Sequence, residues 1–199
     1  MIDFATRKRL PHLLNGLGLL GWGVEVGVRG GGFSQWIRQR WDGQLLIAVD
    51  PWRPTADYFD SSAVSEDQHT SHYQKARQHL RPFGCNAQIV RMTSVEAASH
   101  FERHSLDWVY IDANHGAASV HGDLLAWWLL VKPGGIVAGH DYYNAKRRKD
   151  GTPLIVDHVW EADLDTYGVK VAVDTFAETY DLKIVTTTED TFPSWLIHK

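Results

Sequence analysis

The stretch from Val24 to Trp52 constrains the fold of this 199-residue chain more than any other stretch. It begins with a short apolar strand, continues with a glycine-rich turn and a helix that starts near Phe33, and ends in a second apolar run. That run, Leu45–Val49, is continuous enough for a strand buried on both faces, and Asp50 follows it directly. A strand, turn, helix and strand in this order predict an α/β fold with a parallel sheet.

The glycine-rich turn predicts a binding site for a ribonucleoside compound. Gly27, Gly30 and Gly31 allow backbone conformations that side chains forbid. A glycine-rich turn that opens a helix also presents N–H groups to an anion. Asp50 lies roughly 20 residues beyond the first of these glycines, where an acid at the tip of the next strand can accept hydrogen bonds from a ribose diol.

Two residues of the turn bear on which compound it holds. A dinucleotide site favours the pattern Gly-x-Gly-x-x-Gly, because two phosphates lie against the turn. Here Arg29 takes the third position of that pattern, and Glu25 places a negative charge just before it. The Glu25 carboxylate would repel a pyrophosphate but suits a cation such as the ammonium of S-adenosylmethionine. From these residues alone, a nucleoside site and a purely structural turn both remain open.

Composition narrows the class of protein. Hydrophobic residues make up 44% of the chain and charged residues 22%, as in an ordinary globular protein. A net charge of −4 gives no electrostatic footprint for nucleic acid. The single cysteine, Cys85, fits a reducing compartment, and no apolar run has the length of a signal peptide core or a transmembrane span. We therefore expect a cytoplasmic protein without membrane contact.

Strands and helices alternate along the rest of the chain, which favours one domain over residues 1–199 with a core from about residue 21. The last two predicted strands are too close for a crossover helix, so they must pair antiparallel. We predict helices at about 4–14, 65–80, 95–103 and 118–131, strands at 23–28, 45–49, 88–91, 106–111, 136–139, 183–188 and 194–198, loops at 51–64 and 142–152, and a helical region from there to about residue 180.

Acidic residues follow the fourth and fifth predicted strands. Asp112 comes directly after one, and the pair His140–Asp141 comes after the other. The carboxyl ends of neighbouring parallel strands meet at one edge of the sheet, where ligands bind. Two carboxylates at one point repel each other unless a cation lies between them, and oxygens with one imidazole suit Mg²⁺ or Mn²⁺. A helix cap for the acids and a core position for His140 are the structural alternatives.

Several of these segments together resemble a known family. The runs VEVGVRGGGFS, IAVDPW, DWVYIDANH and DLLAWWLLVKPGGIVAGHDY are similar to class I S-adenosylmethionine-dependent methyltransferases. Within that class they resemble the macrocin-type and cephalosporin-type O-methyltransferases, and more distantly catechol O-methyltransferase. The resemblance spans about Gly21 to Tyr142. It implies a Rossmann-like, doubly wound sheet of seven strands whose last strand is antiparallel.

The resemblance also implies a role for each site residue. His140 stands where relatives often carry a carboxylate, and Arg29 departs from the usual Gly-x-Gly-x-Gly. By position, the implied contacts are Glu25, Gly27, Gly30 and Gly31 with the methionine moiety, Asp50 with the ribose, Thr93 and Ser94 with the adenine, Asp112 with both donor and metal, and His140 and Asp141 with the metal.

The reaction that fits these residues is O-methylation of a small-molecule hydroxyl. A divalent ion, with Mg²⁺ the first candidate, would lower the pKa of the hydroxyl, and Asp112 would take part in catalysis as its ligand. His115 would then take the proton, because its intrinsic pKa lies near neutrality. Tyr142 and Tyr143 are candidates for an aromatic or sugar pocket. The basic run within residues 144–150 is either a solvated loop or a lid that gathers an acidic substrate.

Two other classes of protein remain open at this point. An NAD-type oxidoreductase shares the opening unit, although Glu25 and Arg29 fit it poorly and no hydride-transfer residues follow. A non-catalytic nucleoside-binding module would keep Asp50 but would not need Asp112 or Asp141. The chain is also compatible with a homo-oligomer.

Overall fold

The parallel sheet predicted from the sequence is present in the computed structural model, which describes residues 4–54, 65–147, 153–155 and 166–199. Six α-helices and ten strands lie within these residues. The strands are β1 (Trp22–Val26), β2 (Leu45–Val49), β3 (Ala87–Val90), β4 (Leu106–Ile111), β5 (Val131–Gly139), β6 (Asn144–Arg147), β7 (Pro153–Ile155), β8 (Thr166–Gly168), β9 (Ile184–Thr186) and β10 (Trp195–His198). The helices are α1 (Leu10–Gly16), α2 (Gly32–Arg38), α3 (Glu66–Leu80), α4 (Ser94–Ala98), α5 (Ala117–Trp128) and α6 (Val169–Thr179).

Seven strands form the main sheet in the order β3-β2-β1-β4-β5-β10-β9. Strand β1 pairs in parallel with both β2 and β4, and β4 pairs in parallel with β5. Strand β10 is antiparallel to both of its neighbours, β5 and β9. The seven-stranded α/β sheet with an antiparallel last strand is therefore confirmed, and the two strands that carry the predicted acids are neighbours.

The central strands are largely apolar because helices cover both faces of the sheet. Successive side chains of a strand point to opposite faces. On β1, Val24 and Val26 pack into the cluster that includes α5 and α6. Trp108 and Tyr110 of β4 pack into the other cluster, with α1, α2 and α3. Neither aromatic side chain has exposed surface, so the sheet is closed on both sides and open to ligands only at its edges.

The end of the chain after the fifth strand differs from the prediction. Residues 142–152 were predicted as a loop, but 144–147 form strand β6 in a second sheet with the order β7-β6-β8. The predicted helical region up to residue 180 contains β7 and β8 and becomes helical only at Val169. These strands have three or four residues each, too few for a period of two to be readable. Residues 148–152 and 156–165 lie outside the described residues.

Smaller differences affect element lengths. Helix α4 has five residues and ends at Ala98, earlier than predicted. Strand β5 begins at Val131, five residues before the predicted start at 136, and its register with β4 shifts between Leu106 and Trp108. Of the predicted loop at 51–64, residues 55–64 lie outside the described residues. In the described part of the chain, no helix has both the length and the apolar character needed to cross a membrane.

Two glycines offer a matched test of this packing. A Cβ at Gly23 of β1 would lie 2.0 Å from the buried ring of Trp108, whereas a Cβ at Gly122 of α5 would meet nothing within 4 Å. We expect Gly23→Ala to lower the free energy of unfolding by about 3 kcal/mol. Gly122→Ala should raise it by about 0.5–1 kcal/mol, because glycine is a poor helix former. Urea unfolding of both variants measures the two changes, and equal effects would contradict this account of the core.

Candidate active site

A cleft of about 1020 Å³ runs along the carboxyl ends of the central strands. Nearly all the residues that the sequence singled out line it. They are Glu25, Gly27, Gly30, Asp50, Thr93, Ser94, Asp112, His115, His140 and Asp141. Gly31 does not line it, because it faces α3, where an added Cβ would lie 2.9 Å from the Cα atom of Ala76. Its role is therefore in helix packing.

The backbone ladder of the sheet continues one residue beyond the strands and fixes the site residues. Gly27 donates its N–H to the Val49 carbonyl at 2.9 Å. In the same way, Asp112 N–H donates to the Val26 carbonyl at 2.8 Å. Gly27 has a φ of +87°, and a Cβ there would lie 1.9 Å from the Asp112 carbonyl oxygen. Only glycine allows the first turn and the Asp112 loop to approach this closely.

Asp50 binds the turn instead of leaving its N–H groups for an anion. Its Oδ2 atom accepts hydrogen bonds from the N–H groups of Val28 and Arg29 at 3.1 and 2.9 Å. Its Oδ1 atom accepts one from the Trp52 N–H at 2.7 Å. Burial raises the pKa of Asp50, and these three backbone bonds partly offset that rise. For these two amides, the anion to which the turn was expected to present its N–H groups is therefore the Asp50 carboxylate of the protein itself.

Glu25 is a buried acid at one end of the cleft. Its side chain is on β1, the residue is 2% exposed, and it accepts a hydrogen bond from the Ser34 hydroxyl of α2. Burial raises the pKa of Glu25 to about 8. Without a bound ligand, Glu25 is therefore largely protonated at neutral pH, and a cation placed beside it would favour the carboxylate.

Two acids and two histidines meet at the centre of the cleft. His115 Nε2 lies 3.0 Å from Asp141 Oδ2 and 3.7 Å from Asp112 Oδ1. His140 Nδ1 lies 3.0 Å from Asp141 Oδ1 and 3.9 Å from Asp112 Oδ2. Burial alone would raise the pKa of Asp141, but hydrogen bonds from both histidines hold it well below its ordinary value. The two carboxylates thus share both imidazoles.

This cluster has the donor chemistry of a divalent metal site. One ligand atom each of Asp112, His115 and Asp141 lies within 4.8 Å of the others. Two carboxylate oxygens and one imidazole nitrogen suit Mg²⁺, Mn²⁺ or Zn²⁺. The sequence predicted His140 as the imidazole ligand, and the structure brings His115 at least as close to the two carboxylates.

The end of the cleft beyond Asp50 contains residues that the sequence predicted for adenine. Thr93 is the N-cap residue of α4. The Ser94 hydroxyl accepts a hydrogen bond from Trp127 Nε1 at 2.9 Å and also interacts with Asp123. Asp123 is only 4% exposed, yet it lines the cleft, and burial raises its pKa to about 6. The sequence analysis did not predict this residue, although a single acid in an otherwise mostly apolar helix, α5, could have indicated a buried functional position.

The opposite end of the cleft has an aromatic wall. Tyr167 stacks on His115 with 5.3 Å between ring centroids and on Tyr143 with 5.8 Å. Phe192 lies 5.3 Å from Tyr143 and completes the wall. Of the two predicted tyrosines, Tyr143 lines the cleft, whereas the Tyr142 hydroxyl donates to Asp174 of α6 and does not line it. Tyr167 was missed because it belongs to β8, a strand that the sequence did not show. Phe192 was missed because it lies in the connection between β9 and β10, to which no sequence pattern assigned a role.

The raised pKa of Glu25 makes stability depend on pH. Because the folded protein binds this proton more tightly than the unfolded chain, the stabilisation is present below pH 4.5 and is lost as the pH rises toward 8. We expect Glu25→Gln to flatten the decline in free energy of unfolding over this range, by up to roughly 4 kcal/mol. Urea unfolding at several pH values from 5 to 8 measures the free energy of unfolding of each variant. Glu178→Gln, a change at an exposed residue, is the control and should follow the wild-type curve. Parallel curves for wild type and Glu25→Gln would contradict the assignment.

Comparison with known proteins agrees with this geometry. Residues 24–142 match the sequence family described as a methyltransferase domain. No match was found among the curated proteins. A proposed O-methyltransferase from Klebsiella pneumoniae has a similar structure, with 18% identity, a TM-score of 0.66, and coverage of 96% of this chain and 78% of that chain.

Two further solved structures are similar and contain ligands. TomG, an O-methyltransferase of Streptomyces achromogenes in complex with S-adenosylmethionine, has 18% identity and a TM-score of 0.62, with 96% of this chain and 78% of that chain covered. An O-methyltransferase of Bacillus cereus in complex with S-adenosylhomocysteine has 14% identity and a TM-score of 0.60, with 100% and 84% covered. At these identities the likeness establishes a shared fold. With the sequence match, which spans more than half of the chain, it establishes that the protein belongs to the methyltransferase domain family and has the class I methyltransferase fold.

Proposed function

We propose that this methyltransferase transfers the methyl group of S-adenosylmethionine to a hydroxyl oxygen of a small molecule, with the help of a divalent metal ion. The observation that carries the proposal is the cluster of Asp112, His115 and Asp141 in the same cleft as Asp50 and Glu25. Donor-binding acids and a candidate metal site thus lie side by side. The ligands of TomG and of the Bacillus cereus enzyme support the choice of donor.

The cleft offers a partner for each part of the donor. Asp50 lies at the tip of β2, where its carboxylate can accept hydrogen bonds from the ribose hydroxyls. Ser94 and Asp123 provide polar groups for the adenine at one side. Glu25 lies toward the other side, where an ammonium would convert the protonated acid to a carboxylate. The sulfonium would then lie between these ends, in the part of the cleft that Asp112 and Asp141 line.

The chain's own residues would position the acceptor and remove its proton. Asp112 and Asp141 would hold the ion, which when bound lowers the pKa of a hydroxyl beside it. The acceptor oxygen forms a bond to the methyl carbon as the carbon–sulfur bond breaks, and the electron pair stays on the leaving thioether. His115 would take the hydroxyl proton on a ring nitrogen that carries no hydrogen, and the resulting imidazolium would be stabilised by the Asp141 carboxylate, whose Oδ2 atom lies 3.0 Å from Nε2.

The aromatic wall suggests what kind of acceptor fits. Tyr143, Tyr167 and Phe192 give the cleft a flat apolar side next to His115. Such a wall packs against the face of a sugar or a phenolic ring. We therefore propose a small-molecule hydroxyl compound as acceptor. A mass-spectrometric screen of phenols and sugars for the gain of one methyl group, with S-adenosylmethionine as donor, would identify its class.

The alternatives make different demands on the cleft. An NAD-type oxidoreductase must hold a pyrophosphate near the turn, where Glu25 is buried and Asp50 already takes two of the N–H groups. A non-catalytic nucleoside-binding module has no use for two carboxylates that share two histidines. The geometry therefore favours methyl transfer over both.

Titration calorimetry tests the choice of donor. We expect the wild-type protein to bind S-adenosylmethionine and not NAD, with or without Mg²⁺. Asp50→Ala should weaken S-adenosylmethionine binding by about 10- to 100-fold, because a charged acceptor of two hydrogen bonds is lost. The exposed Glu178→Ala should bind like wild type. NAD binding by the wild type, or no binding of S-adenosylmethionine, would reject the proposal.

Electron paramagnetic resonance of Mn²⁺ separates the roles of the cluster. We expect Asp141→Asn to weaken Mn²⁺ binding at least about tenfold. If His115 is the base, His115→Ala should keep Mn²⁺ affinity within about threefold, while the methylation rate falls by about 100-fold or more. A loss of Mn²⁺ affinity in His115→Ala equal to that of Asp141→Asn would instead make His115 a ligand and overturn the base assignment.

A further inference from the structure

Arg7 is a residue of the cleft that the family resemblance does not include. It precedes α1 and lies outside the matched residues, yet its side chain lines the cleft beside the acids. Its Nη1 atom lies 3.3 Å from Asp112 Oδ2, and its guanidinium lies 4.8 Å from the centre of the Phe33 ring at the start of α2. The charges of Arg7 and Glu25 also influence each other. Arg7 therefore lies between the glycine turn and the metal-site cluster.

The N-terminal segment is fixed in place by the other end of the chain. The Arg7 N–H donates to Asp190 Oδ2 at 2.8 Å. The N–H groups of Thr188 and Glu189 both donate to the Ala5 carbonyl, at 3.0 and 3.1 Å. These bonds attach residues 5–7 to the connection between β9 and β10. Arg7 thus reaches the cleft from a backbone that is hydrogen-bonded on both sides, and little conformational entropy is lost when it binds a ligand.

The methionine moiety of S-adenosylmethionine contains a carboxylate, which a cation such as the Arg7 guanidinium can bind. This part of the donor carries an ammonium and a carboxylate. Glu25, Asp50 and Asp112 suit the ammonium, but three acids would repel the carboxylate. The N–H groups of Val28 and Arg29 already donate to Asp50, so they are not available to bind the carboxylate of the donor.

The other arginines of the cleft are less suited to this task. Among the described lining residues these are Arg29 and Arg53, and both are exposed. The charge of Arg29 acts on His72 of α3, beyond the turn, whereas the charge of Arg7 acts on Glu25. Arg7 is the cation that lies beside an acid suited to the ammonium. A guanidinium is also planar and can bind a carboxylate through two parallel hydrogen bonds.

We propose that Arg7 binds the α-carboxylate of the methionine moiety while Glu25 binds its ammonium, so that the two side chains together recognise the zwitterion. The same guanidinium bonds to Asp112 Oδ2, which leaves Asp112 Oδ1 directed toward His115 and Asp141. Arg7 therefore links donor binding to the acidic cluster. This inference rests on the proposed use of S-adenosylmethionine.

A pair of donors that differ only in the carboxylate tests the proposal. Calorimetry would compare S-adenosylmethionine with decarboxylated S-adenosylmethionine, which keeps the ammonium. We expect Arg7→Ala to weaken the binding of S-adenosylmethionine by about 10- to 100-fold and that of the decarboxylated compound by less than about threefold. Arg7→Lys should lie between wild type and Arg7→Ala. Lys8→Ala removes an exposed neighbouring charge that stacks on Trp36, and it should bind both compounds like wild type.

Each other outcome has a distinct meaning. Equal losses for both compounds in Arg7→Ala would show that Arg7 acts only through Asp112, and would overturn the proposal. Unchanged binding of both compounds would also overturn it. Binding of 5′-methylthioadenosine, which has neither charged group, should be the same in wild type and Arg7→Lys, and this shows that the nucleoside half is intact. Failure of wild type to bind any of the three compounds would instead reject the proposed function.

Discussion

The last hydrogen bond of each parallel strand pair is the interaction on which the site depends. Beyond the ends of β1, β2, β4 and β5, four N–H groups continue the ladder, those of Gly27, Asp50, Asp112 and His140, at 2.9, 3.2, 2.8 and 3.1 Å from their acceptors. Each bond holds the first residue of a loop at the level of the sheet. Since neighbouring strands are only about 4.8 Å apart, the side chains that follow must converge. The reactive groups are thus positioned by the most rigid part of the molecule, although they belong to loops.

Convergence of acids carries an electrostatic cost, and each acid offsets it differently. Asp50 accepts three backbone hydrogen bonds, whereas Glu25 is largely protonated because burial raises its pKa to about 8. Asp141 is bonded by two histidines, and Asp112 pairs with Arg7. These interactions lower the repulsion between the acids, and a bound cation would lower it further. An ammonium, a sulfonium and a divalent ion are three ligands that would relieve this repulsion, and methyl transfer as proposed uses all three.

The sequence could predict those parts of the molecule in which a local pattern determines the structure. The observed bounds of β2 and β4 equal the predicted ones, because each is a largely apolar run that ends directly before an acid. The acids at strand ends were predictable because parallel strands have one common edge. Strands β6 to β8 were not, because each has only three or four residues. The position of Arg7 could not be predicted either, because contacts with the β9–β10 connection, far away in the chain, place it.

Arg29 fitted the sequence pattern least well, and its surroundings explain how it is tolerated. Its φ of +51° is a left-handed conformation, which costs a residue with a side chain about 1 kcal/mol. Two hydrogen bonds offset this cost. The Arg29 N–H donates to Asp50 Oδ2 at 2.9 Å, and the Arg29 carbonyl accepts from Trp52 Nε1 at 2.7 Å. Trp52 also has a positive φ, of +43°. Both backbone polar groups of Arg29 are therefore hydrogen-bonded to residues at the tip of β2. The acid that would bind the ribose thus also stabilises the conformation of the turn.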